Sequence, residues 1–461
     1  MKAALSSSLA RRDFLGLMVM GTTCAIRPQL AFGGPGRRPL NLVVIMGDDC
    51  SAGEIGCYGH REHRTPNLDR LADSGVMFRT CWCTPICSPT RAEIMTGRYG
   101  FRTHWYHNQM KTPESLAKHN RIFAQVLKKA GYATAVAGKW QLFGTQKEYG
   151  FDESFIWAYE HDLPKGVKHT GAYEKPGKPS RYWHPCILKN GAYLPTTPDD
   201  YGPDIFTDFV INFMKRRKKG PFLVYYPMCL THGPFYPTPD SLKPGTEKMR
   251  NSKVENFRIN VEYMDKLVGR IVQALDDLGL RQNTVVFFTT DNGAAGVAKN
   301  GPKEIGCRVP MIVNCPGVVK PLGSCDELMD FSDVLPTLVD LAGGKMPDDY
   351  VIDGHSFAPF LLGQPYEGRD WIFSYLADKR MLRDKRWLLE GDGRFYDCGN
   401  SRDGRGYTDV TDADDTEVLA ARKRFEEILS QLPAPGPGDP AMRMWRSKGG
   451  PTKGAKRGKR R

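Results

Sequence analysis

Hydrophobic residues along this chain occur in two patterns, short continuous runs and longer segments with helical spacing. The runs lack polar alternation and are rich in β-branched and aromatic side chains, so they predict strands buried on both faces, as in a parallel sheet. Apolar residues recur every three or four positions between Phe257 and Leu278, which predicts a long amphipathic helix. The expected buried strands lie at 41–46, 133–137, 221–226, 284–290 and 311–313.

Strands that alternate with helices predict an α/β fold in which a doubly wound, mostly parallel sheet is sandwiched by helices. The pattern changes near residue 366, where short apolar runs are separated by glycine-rich turns and followed by a helical segment at 425–432. We therefore expect a smaller C-terminal α+β domain. The predicted divisions are a signal and linker at 1–38, a main domain at 39–365, the α+β domain at 366–432 and a basic, disordered tail at 433–461.

The formal net charge of +13 lies in the two ends of the chain. Residues 1–38 hold six basic residues and one acidic residue, whereas residues 433–461 hold nine basic residues and one acidic residue. The part between them is neutral overall, with 50 basic and 50 acidic side chains. A folded part without net positive charge argues against a nucleic-acid-binding protein.

The N-terminal segment has the features of an export signal. Arg11 and Arg12 precede an apolar run from Phe14 to about Ile26, which is too short and too interrupted to span a bilayer. Twin arginines before such a run are typical of the bacterial twin-arginine export pathway. We therefore expect an exported bacterial protein, periplasmic or extracellular, without a stable membrane anchor.

Cys87 is predicted to lie at the start of a short helix. Ser88 is a good N-cap residue, Pro89 suits the first helical position, and Gly97 suits the position that closes the helix. Backbone N–H groups at a helix start favour an anion, and Arg91 adds a positive charge one turn later. The sequence alone leaves two alternatives for Cys87, a reactive group at an anion site or a buried structural cysteine.

Polar side chains follow four of the predicted strands. Because the carboxyl ends of parallel strands meet where ligands bind in open α/β sheets, we expect these side chains to lie close together. Each of them alone is as compatible with an ordinary turn or loop. They are Asp48 and Asp49 after the first strand, Lys139 after the second, His232 after the third, and Asp291 and Asn292 after the fourth.

These motifs together resemble those of the type I, formylglycine-dependent sulfatases of the alkaline phosphatase superfamily. The resemblance runs from about residue 39 to about residue 430 and makes residues 39–365 the sulfatase catalytic domain. The matching residues are Asn41 to Asp49, Cys87 to Arg91 with Thr96-Gly97-Arg98, Gly131 to Trp140, Thr231-His232, Asp291-Asn292-Gly293, and Lys299 with Gly306, Arg308, Val309 and Pro310.

The resemblance implies a sulfate-ester hydrolase and the nature of its nucleophile. A separate maturation enzyme would oxidise Cys87 to formylglycine, whose hydrated aldehyde attacks sulfur and gives a covalent sulfo-enzyme. The metal ligands would be the residue at position 87 together with Asp48, Asp49, Asp291 and Asn292. Their hard oxygen atoms suit Ca²⁺, or else Mg²⁺, and not zinc.

The resemblance also implies roles for the cationic residues and a class of substrate. Arg91 would hold the modified residue, Lys139 the sulfate, and His232 and Lys299 the leaving alcohol oxygen. Lys299 is preferred to Lys303 because the family lysine lies nine residues before the arginine that matches Arg308. A sulfated carbohydrate is the expected substrate, both because it is a usual substrate of the family that the chain resembles and because residues 145–200 are rich in aromatic and basic side chains.

Gln141 departs from the family pattern, in which a histidine at this position contacts the formylglycine hydroxyl and is the expected base for sulfate release. A glutamine can form hydrogen bonds but cannot take up a proton at neutral pH. His104 or His107 could replace the missing base, sulfate release could be slow, or the protein could bind sulfated glycans without turnover. A phosphate- or phosphonate-ester hydrolase on the same scaffold is a further alternative.

Overall fold

A mixed, mostly parallel sheet of ten strands occupies the centre of the main domain. Its strands lie in the spatial order β10-β2-β9-β8-β1-β7-β3-β4-β5-β6, when numbered along the chain. The strand bounds are β1 (Asn41–Gly47), β2 (Val76–Trp82), β3 (Ala133–Gly138), β4 (Glu153–Trp157), β5 (Ile187–Lys189), β6 (Ala192–Leu194), β7 (Phe222–Pro227), β8 (Thr284–Thr290), β9 (Arg308–Asn314) and β10 (Gly323–Asp330).

All five predicted strands are present, as β1, β3, β7, β8 and β9. In the middle of the sheet, β1 is parallel to both of its neighbours, β7 and β8, as the continuous apolar runs predicted. The strand β9 is antiparallel to β2 and β8. The predicted α/β class is therefore confirmed.

The computed structural model describes residues 39–108, 114–159, 163, 165, 179–243, 253–296, 298–436 and 439. The predicted export signal at 1–38 and most of the predicted tail at 433–461 lie outside these residues. Within the described part, no helix is long and apolar enough to cross a membrane.

Helices cover both faces of the sheet, and alternate residues of β1 therefore pack into two different cores. Leu42, Val44 and Met46 pack with side chains of α2, α4 and α8, whereas Val43 and Ile45 pack with side chains of α1, α5 and α6. The helix bounds are α1 (Pro66–Asp73), α2 (Cys87–Thr96), α3 (Gly100–Thr103), α4 (Phe123–Lys129), α5 (Gly202–Arg217), α6 (Asn256–Asp277), α7 (Glu304–Cys307), α8 (Val334–Leu341), α9 (Ala358–Leu361) and α10 (Thr416–Ser430).

A second, antiparallel sheet of five strands follows the main sheet and packs with α10, which confirms the smaller α+β unit. The hydroxyl of Ser374 in this sheet donates a hydrogen bond to the carbonyl of Cys83, four residues before Cys87. The second sheet therefore supports the segment that carries the cysteine motif. Its strands are β11 (Ile372–Leu376), β12 (Lys379–Arg383), β13 (Trp387–Leu389), β14 (Phe395–Asp397) and β15 (Thr408–Asp409).

Two predicted helix starts are wrong. The final helix begins at Thr416 rather than near Phe425, because the Asp415 side chain accepts a hydrogen bond from the Val418 N–H and caps it. The helix α2 begins at Cys87, so Ser88 lies inside it and is not its N-cap. Gly97 does close this helix, as predicted, and it adopts the left-handed conformation.

Candidate active site

The sequence-predicted site residues converge at the carboxyl edge of the main sheet. Asp48 and Asp49 follow β1, Lys139 follows β3, and Asp291 follows β8, and these strands are close neighbours in the sheet. The Sγ atom of Cys87 lies 4.0 Å from Asp48 Oδ1, 3.8 Å from Asp49 Oδ1 and 3.5 Å from Lys139 Nζ. These residues therefore lie close together, as expected for side chains that follow parallel strands.

Gly138 explains how Lys139 reaches the site. Its φ of 102° is in the left-handed region, and a Cβ atom there would lie 2.0 Å from the carbonyl oxygen of Pro227. Only glycine fits this close approach of β3 to β7 without distortion. The backbone N–H of Lys139 then donates to the same carbonyl, at 2.7 Å, and the side chain turns towards Asp48.

Three carboxylates and Cys87 form a cluster that fits a divalent cation. One ligand atom from each of Asp48, Asp49, Asp291 and Cys87 lies within 4.8 Å of all the others, and all four residues are buried. The Nδ2 atom of Asn292 donates to Asp49 Oδ1 at 2.8 Å, while its buried Oδ1 has no hydrogen-bond partner among the described residues. Buried carboxylates and a free amide oxygen are the donor set of a hard metal ion.

Burial and the neighbouring charges shift the pKa values of Asp49 and Asp48 in opposite directions. Burial and the negative charge of Asp48 raise the pKa of Asp49 to about 6, despite the opposing charge of Lys299. Burial also acts against ionisation of Asp48, but Lys139 and Arg91 outweigh it and hold the pKa of Asp48 below its usual range. A bound cation would relieve the repulsion between the two aspartates.

The three predicted cations each pair with a different carboxylate. Lys139 Nζ lies 2.7 Å from an oxygen of Asp48, and Lys299 Nζ lies 2.6 Å from an oxygen of Asp49. Arg91 Nη2 donates to Asp291 Oδ2 at 2.7 Å. Its Nη1 donates to the carbonyl of Lys139 at 2.9 Å, so Arg91 ties the start of α2 to two strand ends.

His232 lies at the edge of the cluster, with Nε2 3.5 Å from Asp49 Oδ2. Its Nδ1 contacts the carbonyl of Gly233, which can only accept, so the hydrogen of a neutral ring is on Nδ1. Burial, followed by the charges of Arg181 and Lys139, lowers the pKa of His232 well below its usual value. The ring therefore presents an unprotonated Nε2. The surrounding negative charges raise the pKa of Lys299 despite its burial, so Lys299 remains protonated beside it.

Gln141 has a positive φ of 57° and lies two residues beyond Lys139. Its buried Oε1 has no hydrogen-bond partner in the described part of the chain, and no hydrogen bond there joins it to Cys87. His104 does not replace the missing base, since its side chain is 69% exposed and lies 3.9 Å from Asp439. His107 is partly buried, which lowers its pKa to about 4.

Two residues at the site were not predicted. Arg181 lies with Nη1 3.8 Å from Asp48 Oδ2, and its guanidinium stacks 4.2 Å above the ring of Trp157. Asn108 Oδ1 accepts the backbone N–H of Ser88 at 2.7 Å and so satisfies a free donor of the first turn of α2. Both come from segments without regular structure. The only signal for Arg181 was the aromatic and basic composition of residues 145–200, and nothing in the sequence marked Asn108.

Comparison with known proteins gives the class of the fold and then the family. The structure of Ps i-CgsB matches with a TM-score of 0.71 and 22% identity, covering 85% of this chain and 92% of that one, and the fold is alkaline phosphatase-like. Human arylsulfatase A is 32% identical over 402 residues, which are 77% of this chain and 74% of that protein. Canine N-acetylgalactosamine-6-sulfatase is 31% identical over 394 residues, 76% of this chain and 71% of that protein.

The sulfatase family model matches residues 40–344. The chain belongs to the sulfatase family, and its relatives are sulfuric ester hydrolases. Members of this family generally use a metal ion and a formylglycine, and this chain has a buried acidic cluster around Cys87.

Proposed function

We propose that this protein hydrolyses sulfate esters of a carbohydrate outside the cytoplasm, with a formylglycine made from Cys87 as its nucleophile. The observation that carries the proposal is the position of Cys87, fully buried on the first turn of α2 between three carboxylates and Lys139. Its relative N-acetylgalactosamine-6-sulfatase carries a sulfated sugar in its name, which supports the substrate class. The export rests on the predicted signal, in which Arg11 and Arg12 precede a short apolar run.

The unmodified thiol is poorly suited to be the nucleophile. Burial and the charge of Asp291 raise the pKa of the Cys87 thiol to about 12, so it stays protonated at neutral pH. Only the thiolate is a good nucleophile. This favours a modified residue, rather than the thiol itself, as the reacting group at position 87.

The same residues would hold the metal ion. Asp48, Asp49, Asp291 and Asn292, with the residue at position 87, would bind Ca²⁺ or Mg²⁺, which supplies Lewis-acid activation of the hydroxyl at position 87. The chain's own cations act around it. Lys139 would bind a sulfate oxygen, and Lys299 would donate a hydrogen bond to the leaving alcohol oxygen, because both remain protonated beside carboxylates.

Gln141 supports a second candidate, a sulfoglycan-binding protein that turns over slowly or not at all. The glutamine cannot accept the proton that must leave when sulfate is released. The retained cations and carboxylates favour turnover, because a binding protein would need only the cations. The two candidates differ in whether Cys87 is modified and whether sulfate is released.

The test is to produce the full chain with a formylglycine-generating enzyme and to measure two things. Mass analysis of the Cys87 peptide should show formylglycine, and the protein should release sulfate from an aryl sulfate faster than phosphate from the matching aryl phosphate. The Cys87→Ala variant, which contains no thiol to oxidise, is the control. A thiol that persists in the native host, or a preference for phosphate, would overturn the proposal.

A further inference from the structure

A cavity of about 740 Å³ begins next to the cysteine motif and extends away from it to the protein surface. Its lining includes the buried Ser88, which follows Cys87, and the half-buried Asn108 and Gln141. At its other end, the lining consists of the exposed segment 143–147 and of residues 190–191. The volume falls in the range of small-molecule sites and exceeds what the sulfate group alone would need.

The walls of this cavity combine aromatic rings with neutral hydrogen-bonding groups. Phe143 is 39% exposed, and its ring lies 5.9 Å from that of Trp105. Neutral side chains that can donate or accept hydrogen bonds share the lining: Asn108, Gln141, Thr145, Gln146 and Asn190. Aromatic faces with neutral amides and hydroxyls suit a sugar ring, which has apolar C–H faces and a hydroxyl edge.

Two features describe the polar character of the lining. The buried Oε1 of Gln141 has no hydrogen-bond partner among the described residues and is an unsatisfied acceptor in the wall of the cavity. Asp152 is the only acidic residue of the described lining, and it is neutralised because it lies 2.5 Å from Lys128 and accepts a hydrogen bond from Thr134. The cavity is therefore uncharged except for Lys147.

Lys147 also lines a second cavity, of about 700 Å³. Glu148 is the one acidic residue in the described lining of that cavity. Neither Lys129 nor Lys147 forms an ion pair with any described residue, whereas the other cations have acidic partners. The end of the first cavity at Lys147 therefore favours an anionic group. The cations that line the second cavity are Arg121, Lys128, Lys129, Lys147 and Lys345.

We propose that the first cavity binds the sugar unit next to the one that carries the scissile sulfate, with an anionic group of the same glycan on Lys147. The inference rests on the proposed function, because it takes position 87 as the point where the sulfate is cleaved. It makes the substrate an anionic oligosaccharide or polysaccharide rather than a single sulfated sugar. Phe143 and Lys147 then determine specificity without touching the reacting atoms.

The experiment compares the modified enzyme with its Phe143→Ala and Lys147→Gln variants, and Lys218→Gln, an exposed lysine after α5, is the control. The substrates are a small aryl sulfate and size-fractionated oligosaccharides of chondroitin sulfate, heparin and carrageenan. Each cavity variant should lower kcat/KM on the preferred oligosaccharide by about 5- to 10-fold, the scale of one aromatic or charge-assisted contact. On the aryl sulfate, the variants should stay within about two-fold of the parent, since that substrate does not reach the cavity.

Failure of this inference is separable from failure of the proposed function. If the variants affect the aryl sulfate as much as the oligosaccharides, or affect neither, the cavity is not a sugar subsite although the enzyme is a sulfatase. If the modified protein releases sulfate from nothing, oligosaccharide binding is followed instead by tryptophan fluorescence, since Trp105 and Trp140 line the cavity. Binding weakened by both variants then supports the subsite, and unchanged or undetectable binding overturns it.

Discussion

Two buried clusters of charged residues flank α2, and they differ in how the negative charge of their carboxyl groups is compensated. The first, which we term the active-site cluster, consists of Asp48, Asp49, Asp291, Arg91, Lys139 and Lys299. The second, which we term the carboxyl-rich cluster, consists of Glu93, Asp330, Asp333, Asp353 and Arg369. The first matches each carboxylate with a cation, whereas the second has two cations for four carboxyl groups, the buried Arg369 and the more exposed Arg102, which pairs with Asp353.

The carboxyl-rich cluster is a structural junction. Nε of Arg369 lies 2.8 Å from both oxygens of Asp333, and its Nη2 contacts Ser332 Oγ at 2.9 Å. The hydroxyl of Tyr99, just after α2, donates to Asp330 at 2.6 Å. These contacts join the end of β10 to the motif helix and to the segment that leads into β11.

Protonation takes the place of the missing cations in this second cluster. Both carboxyl oxygens of Glu93 are buried and have no hydrogen-bond partner among the described residues. Burial and the charge of Asp330 raise the pKa of Glu93 well above its ordinary value of 4.5, so the group is neutral. The comparison shows that buried carboxyl groups alone do not mark a site. A metal site is marked by carboxylates that neighbouring cations keep ionised, together with an unsatisfied ligand atom such as Asn292 Oδ1.

Removing a cation from the active-site cluster should have the largest effect on activity. We expect Lys139→Met to lower kcat/KM on an aryl sulfate by about 10²- to 10³-fold, because it removes a fixed positive charge beside the sulfate. Stability should fall less than in the matched variant of the other cluster, since Arg91 and Arg181 also lie within 4.0 Å of Asp48. Steady-state kinetics and urea unfolding measure the two effects, and near-parent activity would contradict the assignment of Lys139.

Removing the buried cation from the carboxyl-rich cluster should reverse this outcome. We expect Arg369→Met to lower the free energy of unfolding by about 3–5 kcal/mol, because it leaves Asp330 and Asp333 buried without their partner. The kcat of the folded fraction should not change. The control, Lys266→Met, breaks an exposed pair with Asp240 and should leave unfolding unaffected. A loss of kcat in Arg369→Met would show that the two clusters are not separate.

Restoring a titratable base at position 141 should affect one step of turnover, the release of sulfate. We expect Gln141→His to accelerate sulfate release by up to about 10²-fold, the lower end of general-base effects. Histidine tolerates the positive φ at this position better than most residues. Rapid-quench kinetics measure the step, and Gln141→Asn, which cannot take a proton, is the control. An unchanged rate of release in the histidine variant would remove Gln141 from the mechanism.

The smallest effect is expected from neutralising Glu93. Its raised pKa means that the folded protein keeps a proton that the unfolded chain loses above about pH 4.5, so this group lowers stability as pH rises. We expect Glu93→Gln to increase the free energy of unfolding by about 1–2 kcal/mol at neutral pH and by less at pH 4.5. Urea unfolding at both values tests this, and equal gains at the two values would contradict a neutral Glu93.

The elements that the sequence predicted correctly are those with a local signal. The strands β1, β7 and β8 are buried on both faces, so each is a continuous apolar run. The strands β2 and β10 were not predicted, because β2 contains a half-buried Arg79 and the first half of β10 is polar and partly exposed. These strands form because β10 pairs with β2 and β2 pairs with β9, and such pairing is a long-range property.

The same distinction applies to the site. Asp48, Lys139 and Asp291 could be predicted because each directly follows a recognisable strand. Arg181 and the cavity beside Gln141 could not, since they arise where distant irregular segments meet. The start of α2 was misplaced for a related reason. Asn108, twenty residues further along the chain, satisfies the N–H of Ser88, and no local pattern contains this contact.

The hydrogen bond from Ser374 to the carbonyl of Cys83 has a consequence for the order of biosynthesis. The two residues are 291 positions apart, so this contact forms only after most of the chain has left the ribosome. Until then, the segment before Cys87 lacks one of its final supports, and afterwards the thiol is completely shielded from solvent. The maturation enzyme proposed above would therefore reach this sulfur atom only before the chain has folded completely.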